Sequence, residues 1–282
     1  MTGTRKRLAI AAIGVIASLA VYGCGDDDDT TSADSGTEAA GDVTTITEGT
    51  LLVGTDTPYP PFEIGQPPEI SGFDIELMDA IAEQLGLTPE YQDTSFDTIF
   101  RDVAAGQFDT VAAASTITPG RQKTVDFSDP YFAADQALVV AEGSDIASVD
   151  DLSGMIVGAQ DATTGEAYAN DETDASEVRG FPEGPDAIAA LVTGQVDATI
   201  IDLPVAADAL EKQGGGIEIA EEIPTDELYG FAMSKDNPGL VDAINGALQT
   251  LKDDGTLTDL YQKYFQVDPP DSVLEGTTNN PS

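Results

Sequence analysis

Residues 112–132 read AAASTITPGRQKTVDFSDPYF. We interpret this stretch as the end of a strand, a polar turn and a short helix that carries Arg121. A guanidinium holds a carboxylate through two parallel hydrogen bonds, and nearby hydroxyls such as that of Thr116 complete the shell. The stretch therefore indicates a carboxylate-binding site. An exposed arginine paired with Asp126 or Asp129 on an acidic surface fits the same residues equally well.

Strands and helices alternate on both sides of this stretch. Apolar residues recur at helical spacing from Phe73 to Leu85, and Gly86 closes that segment. The expected elements are strands at 50–55, 88–92, 109–114, 137–141, 155–159, 197–201, 217–220 and 229–234, and helices at 73–85, 97–105, from 164, 185–192, 205–211, 241–251 and 257–265. Such β-α-β alternation predicts an α/β protein with mainly parallel sheets and helices on both faces.

Two helix–turn–strand units resemble each other within the chain. Residues 106–109 read GQFD and residues 194–197 read GQVD, and each group follows a predicted helix and opens a predicted strand. Ala114 and Asp202 each lie five residues beyond the aspartate of their unit. They are therefore expected at the carboxyl ends of their strands, where open α/β sheets bind ligands. Chance similarity of short amphipathic units permits the same fold.

The first residues have the pattern of an export signal. Arg5, Lys6 and Arg7 precede an apolar run from Leu8 to Val21, which is too short for a membrane span. We expect residues 1–23 to be a signal peptide. Cys24 follows in V-Y-G-C, which resembles the acylation site of bacterial lipoproteins, so we expect lipidation there. The alternative is an incidental small apolar cysteine.

Both ends of the chain are polar. Residues 24–48 contain four consecutive aspartates and almost no large apolar side chains, which predicts a disordered acidic tether after the lipidated cysteine. Residues 268–282 are also polar and are expected to form a flexible tail. Between them lie about 220 residues, enough for one large domain or two smaller ones with proper cores.

Composition excludes several classes of function. The chain has 52 acidic and 11 basic residues, a formal net charge of −41, no histidine and one cysteine. The charge argues against nucleic acid partners and against electrostatic attraction to anionic lipids. The usual zinc, haem and catalytic-triad chemistries need histidine or further cysteines, and no D-x-D-x-D-G calcium loop occurs. We therefore expect no metal and no cofactor.

Two longer motifs identify a family. The run ASTITPGR at 114–121, followed by VDFSDPY, resembles the signature of the family 3 extracellular solute-binding proteins, which capture amino acids for ABC importers. The segment ALQTLKDDGTLTDLYQKYF at 247–265 is similar to the family's closing segment. The resemblance implies a periplasmic-binding-protein-like fold with two lobes. Lobe 1 would contain residues 49–137 and 231–267, lobe 2 residues 138–230, and two crossing strands near 136–142 and 228–233 would join them.

The same resemblance implies how a ligand carboxylate is bound. Arg121 matches the family's carboxylate-binding arginine, and Thr116 matches the hydroxyl residue that supports it. Residues 160–166 read QDATTGE and resemble the family's second-lobe segment, with Ala162 in place of the usual glycine. This places Thr164 at a helix start, where backbone N–H groups favour an anion. Ordinary N-capping by Thr163 or Thr164 is the alternative, and one turn can serve both purposes.

The remaining site residues follow in the same way. Asp202 matches the aspartate that pairs with the ligand's α-ammonium, and the carbonyl of Ala114 is expected beside it. Capping of the helix at 205–211 is the other interpretation of Asp202. The expected side-chain pocket consists of Asp56, Tyr59, Phe96 and Gln160. Tyr59 and Phe96 fit equally well as core residues.

The function implied is that of a monomeric, extracytoplasmic lipoprotein, anchored to the cell membrane through Cys24, that is not an enzyme. It would capture a free amino acid between its lobes and deliver it to the transmembrane subunits of an ABC permease. Polar or basic ligands are favoured, because only Arg121 is available to offset an anionic side chain in a strongly negative molecule. The alternatives are an enzyme of the same fold, of dehydratase or lyase type, and an amino-acid sensor without a transport role.

Overall fold

The first half of the chain is built mostly of strands. A computed structural model describes residues 43–281. The elements up to residue 141 are, in order, β1 (Thr50–Thr55), β2 (Ile64–Gln66), β3 (Glu69–Ser71), α1 (Phe73–Leu85), β4 (Thr88–Asp93), α2 (Phe96–Ala104), β5 (Thr110–Val111), β6 (Val125–Phe127) and β7 (Phe132–Ala141). The short helix expected to carry Arg121 is a 3-10 helix of three residues, Arg121–Lys123.

The second half continues the alternation and closes with helices. Its elements are β8 (Ile156–Gln160), α3 (Thr164–Asp171), β9 (Glu177–Phe181), α4 (Gly184–Val192), β10 (Ala198–Asp202), α5 (Leu203–Gln213), β11 (Ile217–Tyr229), β12 (Ala232–Ser234), α6 (Pro238–Asp253), α7 (Thr256–Phe265) and α8 (Asp271–Leu274). The strand expected at 217–220 is the start of the 13-residue β11. Strands β2, β3, β6 and β9 were not predicted.

Ten of the strands form two five-stranded sheets, ordered β4-β1-β5-β12-β6 and β11-β7-β10-β8-β9, and β2 pairs with β3 in a separate two-stranded sheet. We call each five-stranded sheet with its helices a lobe, the first and the second respectively. The expected α/β fold with two lobes is confirmed. The five-stranded sheets are mixed rather than mainly parallel, since each contains two parallel and two antiparallel pairings. In the second sheet, β7 leads into the lobe and β11 leads out of it, so these two neighbours must run in opposite directions.

The chain crosses between the lobes at the paired ends of β7 and β11. Phe132 pairs with Tyr229 there, and the backbone N–H of Tyr131 donates to the Tyr229 carbonyl at 3.0 Å. Gln136, expected at the start of the first crossing, already pairs with Asp202 inside the second sheet. The first crossing therefore lies earlier than residues 136–142. The predicted lobe boundaries concern which residues move together, and they stay a prediction.

Aromatic rings pack where the chain crosses. The ring centroid of Phe132 lies 5.0 Å from that of Phe62, 5.5 Å from that of Tyr229 and 4.7 Å from that of Phe265 on α7. Each such pair contributes about 0.5–1.5 kcal/mol beyond its buried area. Helix α1 packs its apolar stripe, which includes the fully buried Phe73, against α6 and α7. The closing helices thus return to the first lobe, as the family resemblance implied.

Two segments expected to be loose lie against the first lobe. The N–H of Ile46 donates to Asp109 at 2.8 Å, so residues 43–48 of the predicted tether contact the folded part. The predicted tail contains α8, whose Val273 is fully buried. Asn280 then makes two 2.8 Å hydrogen bonds with the backbone of Phe127. The predicted tail thus contacts the first lobe through one apolar residue and one amide side chain, and its flexibility stays a prediction. Among residues 43–281, no helix combines the length and the apolar character that crossing a membrane requires.

Candidate functional site

One cavity between the lobes collects the predicted ligand-binding residues. Its walls are formed by Asp56, Tyr59, Phe96, Ala113, Ala114, Thr116, Arg121, Gln160, Thr163, Thr164 and Asp202. All nine residues predicted to bind a ligand are in this set, and their individual roles stay predictions. Cys24, predicted to carry the lipid, lies outside the residues that the structure describes. The cavity volume is about 20 Å³, the space of a single water molecule, so an amino acid enters only when the walls move apart.

Arg121 spans the cleft from the first lobe. Its Nη1 donates to the Thr116 carbonyl at 2.8 Å, and its Nη2 donates to the Ala162 carbonyl of the second lobe at 3.2 Å. The guanidinium carbon lies 4.6 Å from the ring centroid of Phe100 and 5.0 Å from that of Phe96. Burial lowers the pKa of Arg121 to about 10, while Glu227 and Asp202 oppose the shift. The side chain therefore remains a cation at neutral pH, stacked on aromatic faces.

The alternative of a surface ion pair for Arg121 does not hold. Asp126 is paired with Lys235, whose Nζ lies 2.6 Å away, and Asp129 accepts the N–H of Thr278 at 2.8 Å. Within residues 43–281, no carboxylate oxygen lies within the 4.0 Å of an ion pair with Arg121. Because its planar fork donates only to carbonyl oxygens, the guanidinium is a candidate partner for an incoming anion.

Asp202 lies at the end of β10 and faces the cavity. Although it occupies the N-cap position of α5, its side chain makes no capping hydrogen bond. Oδ2 accepts the hydroxyls of Tyr59 at 2.7 Å and Tyr229 at 2.5 Å, and Oδ1 accepts the Gln136 amide. Burial, reinforced by the charge of Glu227, raises the pKa of Asp202 to about 6, against these hydrogen bonds. The capping interpretation is therefore wrong for its carboxylate.

Asp56 follows β1 and lines the wall of the cavity that the first lobe forms, opposite the second lobe that carries Asp202. Nε2 of Gln160, at the end of β8, donates to Asp56 Oδ2 at 2.7 Å across the cleft. Burial raises the pKa of Asp56 to about 7, with further raising by Asp93 and Glu183. No three side chains of the described residues are grouped as metal ligands would be. With a pKa of about 7, the Asp56 carboxyl group is partly protonated and partly ionised near neutral pH.

Ala114 lines the cavity in a left-handed backbone conformation. Ala114 has φ 42°, and its N–H donates to Asp74 Oδ2 at 2.9 Å. The hydroxyl of Tyr131 donates to the same oxygen at 2.6 Å. Glu63 packs beside Asp74 with both carboxyls fully buried. Burial, followed by the charge of Asp74, raises the pKa of Glu63 well above its usual range.

The start of α3 combines capping with a wall of the cavity. Thr163 is the N-cap, and its Oγ1 accepts the N–H of Glu166 at 3.1 Å. Thr164 is the first helical residue, and its hydroxyl donates a hydrogen bond to Glu227 Oε2 at 2.7 Å. Ala162 has φ 62°, the left-handed conformation that the family's glycine adopts without strain. Thr163 therefore caps the helix and Thr164 does not, while both threonines line the cavity.

Sequence analysis missed Glu227, which touches both predicted carboxylate-binding hydroxyls. Glu227 Oε2 accepts from Thr116 at 2.6 Å and from Thr164 at 2.7 Å, and Oε1 accepts from Gln136 Nε2 at 3.1 Å. The residue lies one position before the predicted crossing strand at 228–233. That proximity was the available signal, since a crossing strand passes next to any ligand held between two lobes.

The fold and the cavity define a two-lobed ligand-binding protein. Residues 51–267 match the family described as bacterial extracellular solute-binding proteins, family 3, and the chain belongs to that family. The family assignment made from residues 114–131 is therefore confirmed. The family's extracellular character agrees with the extracytoplasmic location predicted from the leader.

Three similar proteins are named for amino-acid binding. The L-cystine-binding protein TcyJ of Escherichia coli (strain K12) is 31% identical over 223 residues, which cover 78% of this chain and 84% of TcyJ. A solved ancestral arginine-binding protein bound to arginine has a TM-score of 0.73 and 40% identity, over 77% of this chain and 98% of the other. The ancestral amino acid-binding protein AncCDT-1, a precursor of cyclohexadienyl dehydratase, has a TM-score of 0.70 and 37% identity, over 77% and 96% of the two chains.

Proposed function

We propose that this protein captures a free amino acid in the cavity between its lobes. Arg121, Thr116 and Thr164 bind the α-carboxylate, while Asp202 and the Ala114 carbonyl bind the α-ammonium. The observation that carries the proposal is the placement of a half-buried guanidinium, that of Arg121, and a buried carboxylate, that of Asp202, on the two walls of one cavity. Opposite charges held apart by a rigid scaffold match the two ends of a zwitterion.

The ligand is a basic or polar amino acid. Asp56, Asp202 and Glu227 place three carboxyl groups in or beside the cavity, and Arg121 is the cation that faces them. A cationic side chain reduces this excess of negative charge, and Asp56 is its expected partner. Tyr59, Phe96 and Gln160 complete the side-chain pocket. The similarity to an ancestral arginine-binding protein supports this preference.

Ligand binding closes the two lobes. Arg121 belongs to the first lobe and Asp202 to the second, so only the closed form offers both ends of the ligand their partners. A ligand with such differential contacts shifts the equilibrium toward closure. The closed form is then the one recognised by the transmembrane subunits of an ABC permease, to which this monomeric receptor delivers its ligand.

Thermal-shift screening of the purified protein tests the ligand class. Free basic and polar amino acids should raise the unfolding midpoint, whereas N-acetylated and carboxamide forms of the same amino acids should not, because each removes one of the two charges. Sugars and long peptides serve as comparison ligands. Stabilisation by sugars or peptides alone would contradict the proposal.

Membrane attachment through a lipid on Cys24 is the second part of the proposal. Its support is the basic and apolar leader that precedes this single cysteine. The Cys24→Ser protein should appear in the soluble extracytoplasmic fraction, since it lacks the thiol that receives the lipid. A serine variant that remains wholly in the membrane fraction would refute lipid anchoring.

An enzyme of dehydratase type is the second candidate. AncCDT-1 shows that this fold preceded a dehydratase, and a pKa of about 7 at Asp56 is suited to proton transfer. We nevertheless favour binding without turnover, because Asp56 is held by Gln160 and no nucleophile–base pair lines the cavity. NMR of a bound amino acid over many hours decides between the two: an unchanged ligand supports a receptor, and a new product supports an enzyme.

A further inference from the structure

We propose that Glu227 determines ligand specificity by competing with the ligand's α-carboxylate for the hydroxyls of Thr116 and Thr164. Because of this competition, losing the α-carboxylate costs a ligand less affinity than it would without Glu227, so decarboxylated amino acids, which are amines, still bind. The inference rests on the proposed function, since it takes these hydroxyls as part of the carboxylate-binding site.

The hydrogen count at the two hydroxyls makes the competition unavoidable. A threonine hydroxyl has one hydrogen, and both hydrogens are directed at the same oxygen, Glu227 Oε2, at 2.6 Å and 2.7 Å. Donation to a ligand carboxylate therefore requires each hydroxyl to turn away from Glu227. Gln136 would then be the remaining donor among the contacts that Glu227 makes.

The position of Glu227 is set by the backbone rather than by a free rotamer. The pairing of β11 with β7 shifts register between Ile223 and Glu227, and Asp226 has φ 50°. Asp135 Oδ1 accepts the N–H groups of Thr225 and Asp226 at 2.9 Å and 3.1 Å, which stabilises this bulge. Beyond the bulge, residue 228 pairs with the segment that carries Thr116, through the N–H of Ile117 at 2.8 Å.

Charge makes the competition stronger. The Gln136 amide bridges the carboxylates of Glu227 and Asp202, so both lie beside the place proposed for the ligand's ends. An α-carboxylate would add a further negative charge next to Glu227, and Arg121 alone would offset it. An amine brings no such charge, leaves both threonine hydroxyls bound to Glu227, and gains the attraction of two carboxylates instead of one.

Calorimetry with matched ligand pairs tests the proposal. The probes are arginine against agmatine and lysine against cadaverine, in which each amine is its amino acid without the carboxylate. For the unaltered protein, each amine should bind about 30-fold more weakly than its amino acid, a difference of about 2 kcal/mol at the low end of the loss expected without a carboxylate–Arg121 pair. Glu227→Gln should tighten amino-acid binding severalfold and weaken amine binding by about tenfold, because the amide keeps the size but removes the charge.

Glu222→Gln is the matched control, since Glu222 lies on the same strand with an exposed side chain. It should leave both members of each pair unchanged. Equal changes for amino acid and amine in Glu227→Gln would mean a structural role and overturn the proposal. Amines that bind the unaltered protein more than about a thousandfold more weakly than amino acids would also overturn it, whether or not the variant folds. A protein that binds neither member of either pair, and no other free amino acid, would instead refute the proposed function.

Discussion

The two repeated units of the chain share a scaffold and differ in what they present to the cavity. In the first unit α2 leads to β5, and in the second α4 leads to β10. Each helix is followed by a glycine in the left-handed conformation, Gly106 with φ 73° and Gly194 with φ 69°. Each strand is preceded by an aspartate that accepts a backbone N–H of the neighbouring parallel strand at 2.8 Å, Asp109 from Leu52 and Asp197 from Ile156.

The two units differ in the residues that follow or end their strands β5 and β10. Beyond β5 the chain presents an uncharged turn at Ala114 and then the cation Arg121, whereas β10 ends in the anion Asp202. The two lobes therefore present opposite charges to one cavity, Asp202 at its strand end and Arg121 seven residues beyond Ala114, the counterpart of Asp202. A repeated scaffold supplies position, and single residues at the strand ends supply the chemistry.

Removal of the cation should abolish most of the binding. Arg121→Ala leaves a desolvated ligand carboxylate without its partner, which costs about 2–5 kcal/mol, or roughly 30- to 5000-fold in affinity. The fold should remain, since Arg121 forms no ion pair within residues 43–281. Isothermal calorimetry with the amino acid identified by thermal shift gives the affinity.

Arg179→Ala is the control for this experiment. Arg179 pairs with Glu177 at 2.8 Å on β9, away from the cavity, so its loss should change affinity very little. Near-normal binding by Arg121→Ala would disprove the proposed carboxylate site. Lost binding together with an unchanged unfolding midpoint of the ligand-free variant identifies Arg121 as a contact to the ligand.

The anionic wall should make the binding of a basic amino acid depend on pH. The pKa of Asp56 is about 7 and that of Asp202 about 6, so both protonate between pH 8 and pH 5 while Arg121 stays charged. Neutral carboxyls attract a cationic ligand less, so affinity should fall at least about tenfold over this range. A pH-independent affinity would mean that neither carboxylate contacts the ligand's positive charges.

Stability of the ligand-free protein should follow pH in the opposite direction. The pKa values of Asp56, Asp74 and Asp202 lie above the 3.8 of a free aspartate, so the folded state binds more protons than the unfolded state. The free energy of unfolding should therefore rise as pH falls from 8 to 5, by at least about 1 kcal/mol. Urea midpoints at both pH values measure this, and Asp56→Asn should reduce the slope.

The smallest expected effect tests whether the two units share one turn geometry at Gly106 and Gly194. Gly106→Ala and Gly194→Ala each place a side chain at a left-handed position where no atom lies within 4 Å of the new Cβ. Only backbone strain remains, which costs about 1 kcal/mol in each case. Equal losses in urea unfolding support one shared turn geometry, whereas losses that differ by more than about 0.5 kcal/mol would separate the units.

Local patterns were sufficient for elements whose cause is local. Apolar spacing and Gly86, which has φ 68°, give both ends of α1 correctly. The motif around Arg121 and the repeat that leads to Asp202 identified both walls of the cavity. Gln136 and Glu227 were missed because they meet only through the pairing of β7 and β11, across 91 residues of sequence.

Packing between distant segments explains the other omissions. Phe100 lies one helical turn after Phe96 on α2, and the spacing alone does not indicate that both rings stack on Arg121. The buried carboxyls of Glu63 and Asp74 were not predicted, since nothing in their local sequence shows that they lie near each other. Buried polar networks of this kind depend on the whole fold, and a single sequence carries no local signal for them.

Asn280 has a consequence for truncated or fused forms of this protein. Its amide accepts from the N–H of Phe127 and donates to the carbonyl of the same residue, both at 2.8 Å, as a neighbouring strand would. β6 lies at the edge of its sheet, and an exposed edge is a template for aggregation. A chain cut after Val267, where the family match ends, lacks the two hydrogen bonds from Asn280 that cover this edge. Sensors or fusions built on this protein should therefore retain the segment through Pro281.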